Sequence, residues 1–122
     1  MAEEKKVVNV ADLFSVEKEK ELAPGFKIKL KVLNYGEHLS VLSLTGFKEG
    51  EVRTLLQNQM FQLQTIKYAT VSVNDKVYDD SNREELVDYY KKLSFPIIVL
   101  INEFYNELLA EQDQQIDAIK KK

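Results

Sequence analysis

The chain is predicted to fold as an α+β domain, mostly helical, with about four helices and a small antiparallel sheet made of one N-terminal strand and a hairpin. Three observations predict this. Phe26, Ile28, Leu30 and Val32 alternate with Lys27, Lys29 and Lys31, the period-two signature of a strand with one buried face. Val71-Ser72-Val73 and Lys76-Val77-Tyr78 flank Asn74-Asp75, a pair that tolerates a tight turn. Elsewhere between Glu51 and Ile119, apolar residues recur at helical spacing and are punctuated by local start signals.

Composition narrows the class. A chain of 122 residues is one domain's length and can build its own core. The hydrophobic share of 44% and charged share of 30% are those of an ordinary globular protein. A formal net charge of -3 argues against nucleic acid as the main partner. The chain has no cysteine, which excludes disulfides and thiolate metal sites. Met1 to Lys6 lacks the apolar core of a signal peptide, and the longest purely apolar run, Ile97 to Ile101, is far too short to span a membrane.

Residues 1–24 read as a flexible N-terminal arm, and residues 25–122 as a single α+β domain. In the arm, Val10, Leu13 and Phe14 sit at helical spacing, Glu17 to Glu21 alternates in charge, and Pro24-Gly25 closes the segment. Such an arm is either a frayed end or a docking segment. The lysines of the Phe26 strand face water, where they either meet phosphate or, as the mild charge favours, guard an edge strand against pairing. Asn34 with Glu37 predicts a capped helix start, and Gly46 a left-handed stop after a helix running to about Thr45. Leu39, Val41, Leu42 and Leu44 point to several sides of that helix, which predicts that it is buried.

A second helix is expected from about Gly50 to Ala69, with Val52, Leu56, Gln59, Leu63, Ile66 and Thr70 on one stripe. Phe61 and Tyr68 form an aromatic stripe on the other side. They pack internally or face a partner. The hairpin is too small to stand alone and is expected beside the Phe26 strand. Ser81 with Glu84 reads as a capping box for a helix that buries Leu86, Tyr90 and Leu93 and ends at Lys91-Lys92. Ser94-Phe95-Pro96 restarts the chain into a last helix reaching Ile119. Ile97, Ile101, Phe104, Leu108 and Ile119 form its main stripe, with Gln115 in line, widened by Ile98, Tyr105, Leu109 and Ile116. At roughly 35 Å this helix exceeds what so small a core needs, which points to contact with another molecule.

No chemistry stands out. Gly-rich phosphate loops and nucleophile elbows are missing from the sequence, so an enzyme is not expected. His38 is the only histidine, and Asp75, Asp79 and Asp80 lack the glycine and closing glutamate of a calcium loop. No catalytic residue, cofactor or metal is therefore assigned. Partner-binding candidates are Phe61, Tyr68, Tyr105, Leu109 and Ile116.

The order of parts from Phe26 to Ile119 resembles the tail assembly chaperones of long-tailed bacteriophages. The residues that carry the likeness are the lysine-rich starting strand, Tyr35-Gly36-Glu37 at the entry to the first helix, Ala69-Thr70-Val71-Ser72-Val73-Asn74 at the hairpin, and Asn102 to Leu108 in the final helix. The 1–24 arm departs from the family's pattern, in which the chain starts almost directly at the strand. The resemblance implies a chaperone that binds the tape measure protein in the host cytoplasm and assists tail tube assembly. The alternative it leaves open is a small structural protein of the tail or baseplate that stays in the virion. Partners would be the tape measure protein or other tail proteins, with self-association open and neither nucleic acid nor membrane involved. A lysine tail, Lys120 to Lys122, reads as a solubilising terminus; in this family an adenine run at such a place also permits ribosomal slippage.

Overall fold

A computed structural model describes residues 13–46 and 54–121. The expected class is observed: an α+β fold with a four-stranded antiparallel sheet in the order β1-β2-β3-β4 and helices packed on it. The strands are β1 (Glu17–Ala23), β2 (Phe26–Lys31), β3 (Thr70–Val73) and β4 (Lys76–Val77). The helices are α1 (Tyr35–Thr45), α2 (Leu55–Ala69), α3 (Arg83–Lys92) and α4 (Phe95–Lys120). No described helix is long and apolar enough to cross a membrane.

The first strand is the main departure. Residues 17–23, read from sequence as part of the arm, pair antiparallel with β2, with Glu17 opposite Lys31, Glu19 opposite Lys29 and Glu21 opposite Lys27. The alternating charge of this part of the expected flexible arm is one half of a cross-strand ladder. Lys29 reaches Glu17 at 3.4 Å and Lys27 reaches Glu19 at 3.8 Å. β2 is therefore an inner strand and its lysines do not guard an edge. On the other face of β1, Lys18 pairs with Glu111 at 2.8 Å and Lys20 with Glu107 at 3.3 Å, which ties the strand to α4. Just before it, Val16 is buried, and the Phe14 carbonyl accepts from Gln112 Nε2 at 2.9 Å. The rest of the predicted arm, residues 1–12, lies outside the described residues.

The core sits between the inner face of the sheet and the helices. Phe26, Ile28 and Leu30 point into it from β2, and Ile66, Leu86, Tyr90, Ile101, Phe104 and Leu108 meet them from α2, α3 and α4. The hairpin docks beside β2 as expected, with Ile28 opposite Val73. Its turn residues Asn74 and Asp75 both take positive φ, 48° and 69°, and Asn74 is held by two bonds to Lys27: its N–H donates to the Lys27 carbonyl and its Oδ1 accepts from the Lys27 N–H, each at 2.8 Å. Polar residues with short side chains accept this conformation at low cost.

Helix boundaries test the start signals one by one. The Asn34–Glu37 capping box forms, and Gly46 ends α1 at φ 67°. α2 starts later than expected because Thr54 and Gln57 make their own capping box, which fixes Leu55 as the first helical residue. Val52, assigned to the α2 stripe, lies outside the described residues. The Ser81–Glu84 box does not form: Asn82 is the N-cap, and Ser81 donates instead to the Asp79 carboxylate. Those bonds hold the Asp79 carboxyl below the usual range. α1 is not the buried helix that its leucines suggested. It buries Val41, while Leu39 and Leu44 are exposed. α4 runs for 26 residues, about 39 Å at 1.5 Å per residue. Beyond Gln112 it buries no side chain and projects past the core.

Candidate partner-binding surface

Where α2 and α4 pack together, they leave open space on the helical side of the molecule. A cleft of about 410 Å³ is walled by Leu63 of α2, by Leu93 after α3, and by Phe95, Ile98 and Val99 of α4. Its rim carries amides: Gln59 and Gln62 from α2, Asn102 and Asn106 from α4. The charged residues lining it are Lys91 and Glu103, which are of opposite sign. Gln62, Asn102 and Asn106 also line a smaller cleft of about 280 Å³ on the other flank, so the amides mark the boundary between the two.

The apolar strip continues beyond the cleft along α2. Leu56 lies three residues before Gln59 and seven before Leu63, on the same helix face. It is 68% exposed, and its neighbour Leu55 is 76% exposed. At the start of α4, Phe95 is also 68% exposed. Large apolar side chains clustered in this way on a soluble surface mark interaction sites, whereas single ones do not. The sequence from Leu55 to Ile66 carries no charged residue, nor does Phe95 to Asn102.

The candidate residues read from sequence are divided by the fold. Phe61, Tyr105 and Leu109 come together, lining a third cleft of about 480 Å³ with Val32, Tyr35 and His38. Tyr105, however, is a buried member of the core. Burial pushes its hydroxyl above the usual phenol range, against a backbone hydrogen bond with Leu33. It therefore offers little surface to a partner, a correction that follows from α4 turning this face onto the sheet. Leu109 packs half-buried against the core, and Phe61 is half-buried. Tyr68 is elsewhere, with Lys67 Nζ 4.7 Å and Arg83 Cζ 5.0 Å from its ring centroid. Lys67 is itself buried, and the burial lowers its ammonium pKa. Ile116 lies half-buried on the projecting part of α4 and joins none of the clefts.

The residues that sequence reasoning passed over are the amides and the exposed apolar groups around them. A signal for them existed. In a chain 30% charged, two helical runs without a charge imply a surface that does not face bulk water alone. Among the described residues no group of acidic, histidine or cysteine side chains could hold a metal ion. Comparison of this chain with protein-family models, with curated proteins and with solved structures finds no match.

Proposed function

We propose that the chain is a tail assembly chaperone of a long-tailed bacteriophage, acting in the host cytoplasm by holding helical segments of the tape measure protein until the tail tube forms around them. It works by binding, with no catalytic step. The observation that carries the binding role is the open apolar cleft between α2 and α4 with Leu55, Leu56 and Phe95 exposed beside it. An amphipathic helix recognises a partner by laying its apolar face into such a groove. A tape measure protein is a very long chain of such helices and aggregates if left uncovered. Many copies of a weak binder along one chain gain by avidity what each lacks in affinity. The phage assignment itself rests on the resemblance in the order of elements from Phe26 to Ile119.

The test is capture of the tagged protein from cells that express its native neighbours, with the bound chains identified by mass. Recovery of one very long helix-rich chain is expected, and Val99→Glu in the cleft wall should abolish it. Recovery of baseplate or tube subunits, together with a fixed copy number of this chain in purified virions, would replace the chaperone with a structural subunit. Recovery of neither would overturn the phage role.

A further inference from the structure

We infer that the cleft lined by Val32, Leu33, Tyr35, Tyr105 and Leu109 receives, in the free protein, the chain's own segment Val7-Val8-Asn9-Val10-Ala11. The inference goes beyond the chaperone reading, which uses the Leu63 and Phe95 side of the α2–α4 pair, and stands without it. It starts from the place where the described chain enters the fold. Two residues that line the cleft hold that entry. Gln112 Nε2 donates to the Phe14 carbonyl at 2.9 Å, and the Val32 N–H donates to the Val16 carbonyl at 2.9 Å. Residues 14–16 therefore run along the rim of the cleft. Leu13 and Phe14 form a turn there, with Phe14 at φ 63°. A bulky residue keeps a positive φ only where its surroundings hold it. The bond from Gln112 is such a hold, so the chain is turned at the rim and the residues before Leu13 start beside the cleft.

Segment and cleft match in chemistry. Val7 to Ala11 carries three valines, one amide and no charge, between Glu3-Glu4-Lys5-Lys6 on one side and Asp12 on the other. The described residues that line the cleft include no carboxylate, lysine or arginine. A space of about 480 Å³ walled by valine, leucines and aromatic rings accepts branched apolar side chains, and it rejects charged ones, which would lose their hydration. Leu13 does not fill it, being 47% exposed. Reach sets no obstacle. Val10 is three residues from Leu13 and Val7 six, which is at most about 10 and 20 Å of extended chain. The cleft shares Phe61, Thr65, Tyr105 and Leu109 with the smaller cleft on the flank of the α2–α4 pair. A segment seated there closes that end of the helical groove and leaves the Leu56 and Phe95 side to a partner.

Paramagnetic relaxation in the full chain tests this, because the sequence has no cysteine and Asn9→Cys supplies a single site for a nitroxide. The methyl signals of Leu33 and Leu109 should lose most of their intensity, and those of Val77, on β4 at the far edge of the sheet, should keep theirs. Adding Val7→Glu and Val10→Glu should return most of the lost intensity, with the Val77 shifts and the circular dichroism unchanged. Even, weak broadening over the whole surface would overturn the inference, as would broadening centred on Leu56 and Val99. So would a loss at Leu33 and Leu109 that the two glutamates leave in place. A mixed sample separates one chain from two: the nitroxide is carried by chains without isotope, and signals are read on isotope-labelled chains without nitroxide. Full intensity is expected there. Selective loss at Leu33 and Leu109 would put the segment of a second copy in the cleft and overturn the assignment to the same chain. None of these results depends on capture of a tail protein.

Discussion

Thr70 and Tyr90 lock the junction of α2 with β3 onto α3, and their substitution gives asymmetric costs. Tyr90 is 2% exposed and Thr70 1% exposed. Thr70 Oγ1 donates its only proton to the Ile66 carbonyl at 2.6 Å, so in its contact with Tyr90 it is the acceptor and the tyrosine hydroxyl donates. Tyr90→Phe removes the donor and keeps the ring, and Thr70 retains its bond to Ile66. The expected cost is that of one neutral hydrogen bond, about 1 kcal/mol. Thr70→Val keeps the branched shape that suits the strand start, and the Ile66 carbonyl still accepts from the residue-70 N–H. It strands the Tyr90 hydroxyl, however, at a cost of about 2–3 kcal/mol. Combining the two removes both polar atoms, so the double variant should cost less than Thr70→Val alone, a coupling of about 1–2 kcal/mol. Urea unfolding followed by circular dichroism at the helical band reads these values, because the chain has no tryptophan. With a slope of about 2 kcal/mol per molar, Thr70→Val should lower the midpoint by about 1 M. Tyr90→Phe costing as much as Thr70→Val, or strict additivity in the double variant, would refute the assigned direction of the bond.

Three further outcomes follow from the geometry. Asn74→Ala should destabilise by about 1–2 kcal/mol, through its positive φ and the lost bond to Lys27, and Asn74→Gly should recover only the conformational part. The same unfolding assay checks both. Asn34→Ala and Thr54→Ala should each cost about 1 kcal/mol, and Ser81→Ala clearly less, because only the first two side chains cap a helix. Equal losses at all three sites would restore the capping box read from sequence. Finally, stability should fall above about pH 10. Burial raises the Tyr90 and Tyr105 pKa, so in that range the unfolded chain releases phenolic protons that the folded chain keeps, and stability complete below the unfolded value is lost as pH rises. Lys67, lowered by burial, works in the opposite sense only up to its unfolded value of about 10.4. Tyrosine absorbance at 295 nm should therefore show a cooperative step coincident with unfolding, and independent titration of all six tyrosines would refute it.

Where the sequence was legible, a short-range rule applied. Asn34 and Glu37 satisfy each other's backbone across three residues, and Asn74-Asp75 joins two runs of branched residues by a two-residue turn. Such signals need no knowledge of the rest of the chain. Misreadings began where two local signals competed. Ser81 had a suitable glutamate three residues on, but the Asp79 carboxylate was nearer and took its hydroxyl. The chaperone-type contact residues fared similarly. Leu109 and Tyr105 share a stripe that widens the apolar face of α4, yet Tyr105 is buried in the core and Leu109 packs half-buried against it, so Leu109→Ser is expected to cost stability as well as any binding.

By itself the sequence determined the class of fold, the face that β2 buries, the hairpin, and the four helices with most of their ends, because periodicity and capping are properties of residues two to four apart. Only the tertiary structure decided that Glu17 to Glu21 is a strand, since a run of alternating charge has no buried face of its own and finds its ion-pair partners only when Lys27 and Lys29 on one face and Glu107 and Glu111 on the other are in place. It also decided which apolar stripe stays open. A helix with two apolar faces can bury either, and the choice belongs to what lies across from it: the sheet takes Tyr105 and Leu108, and Leu56, Phe95 and Val99 are left to the surface.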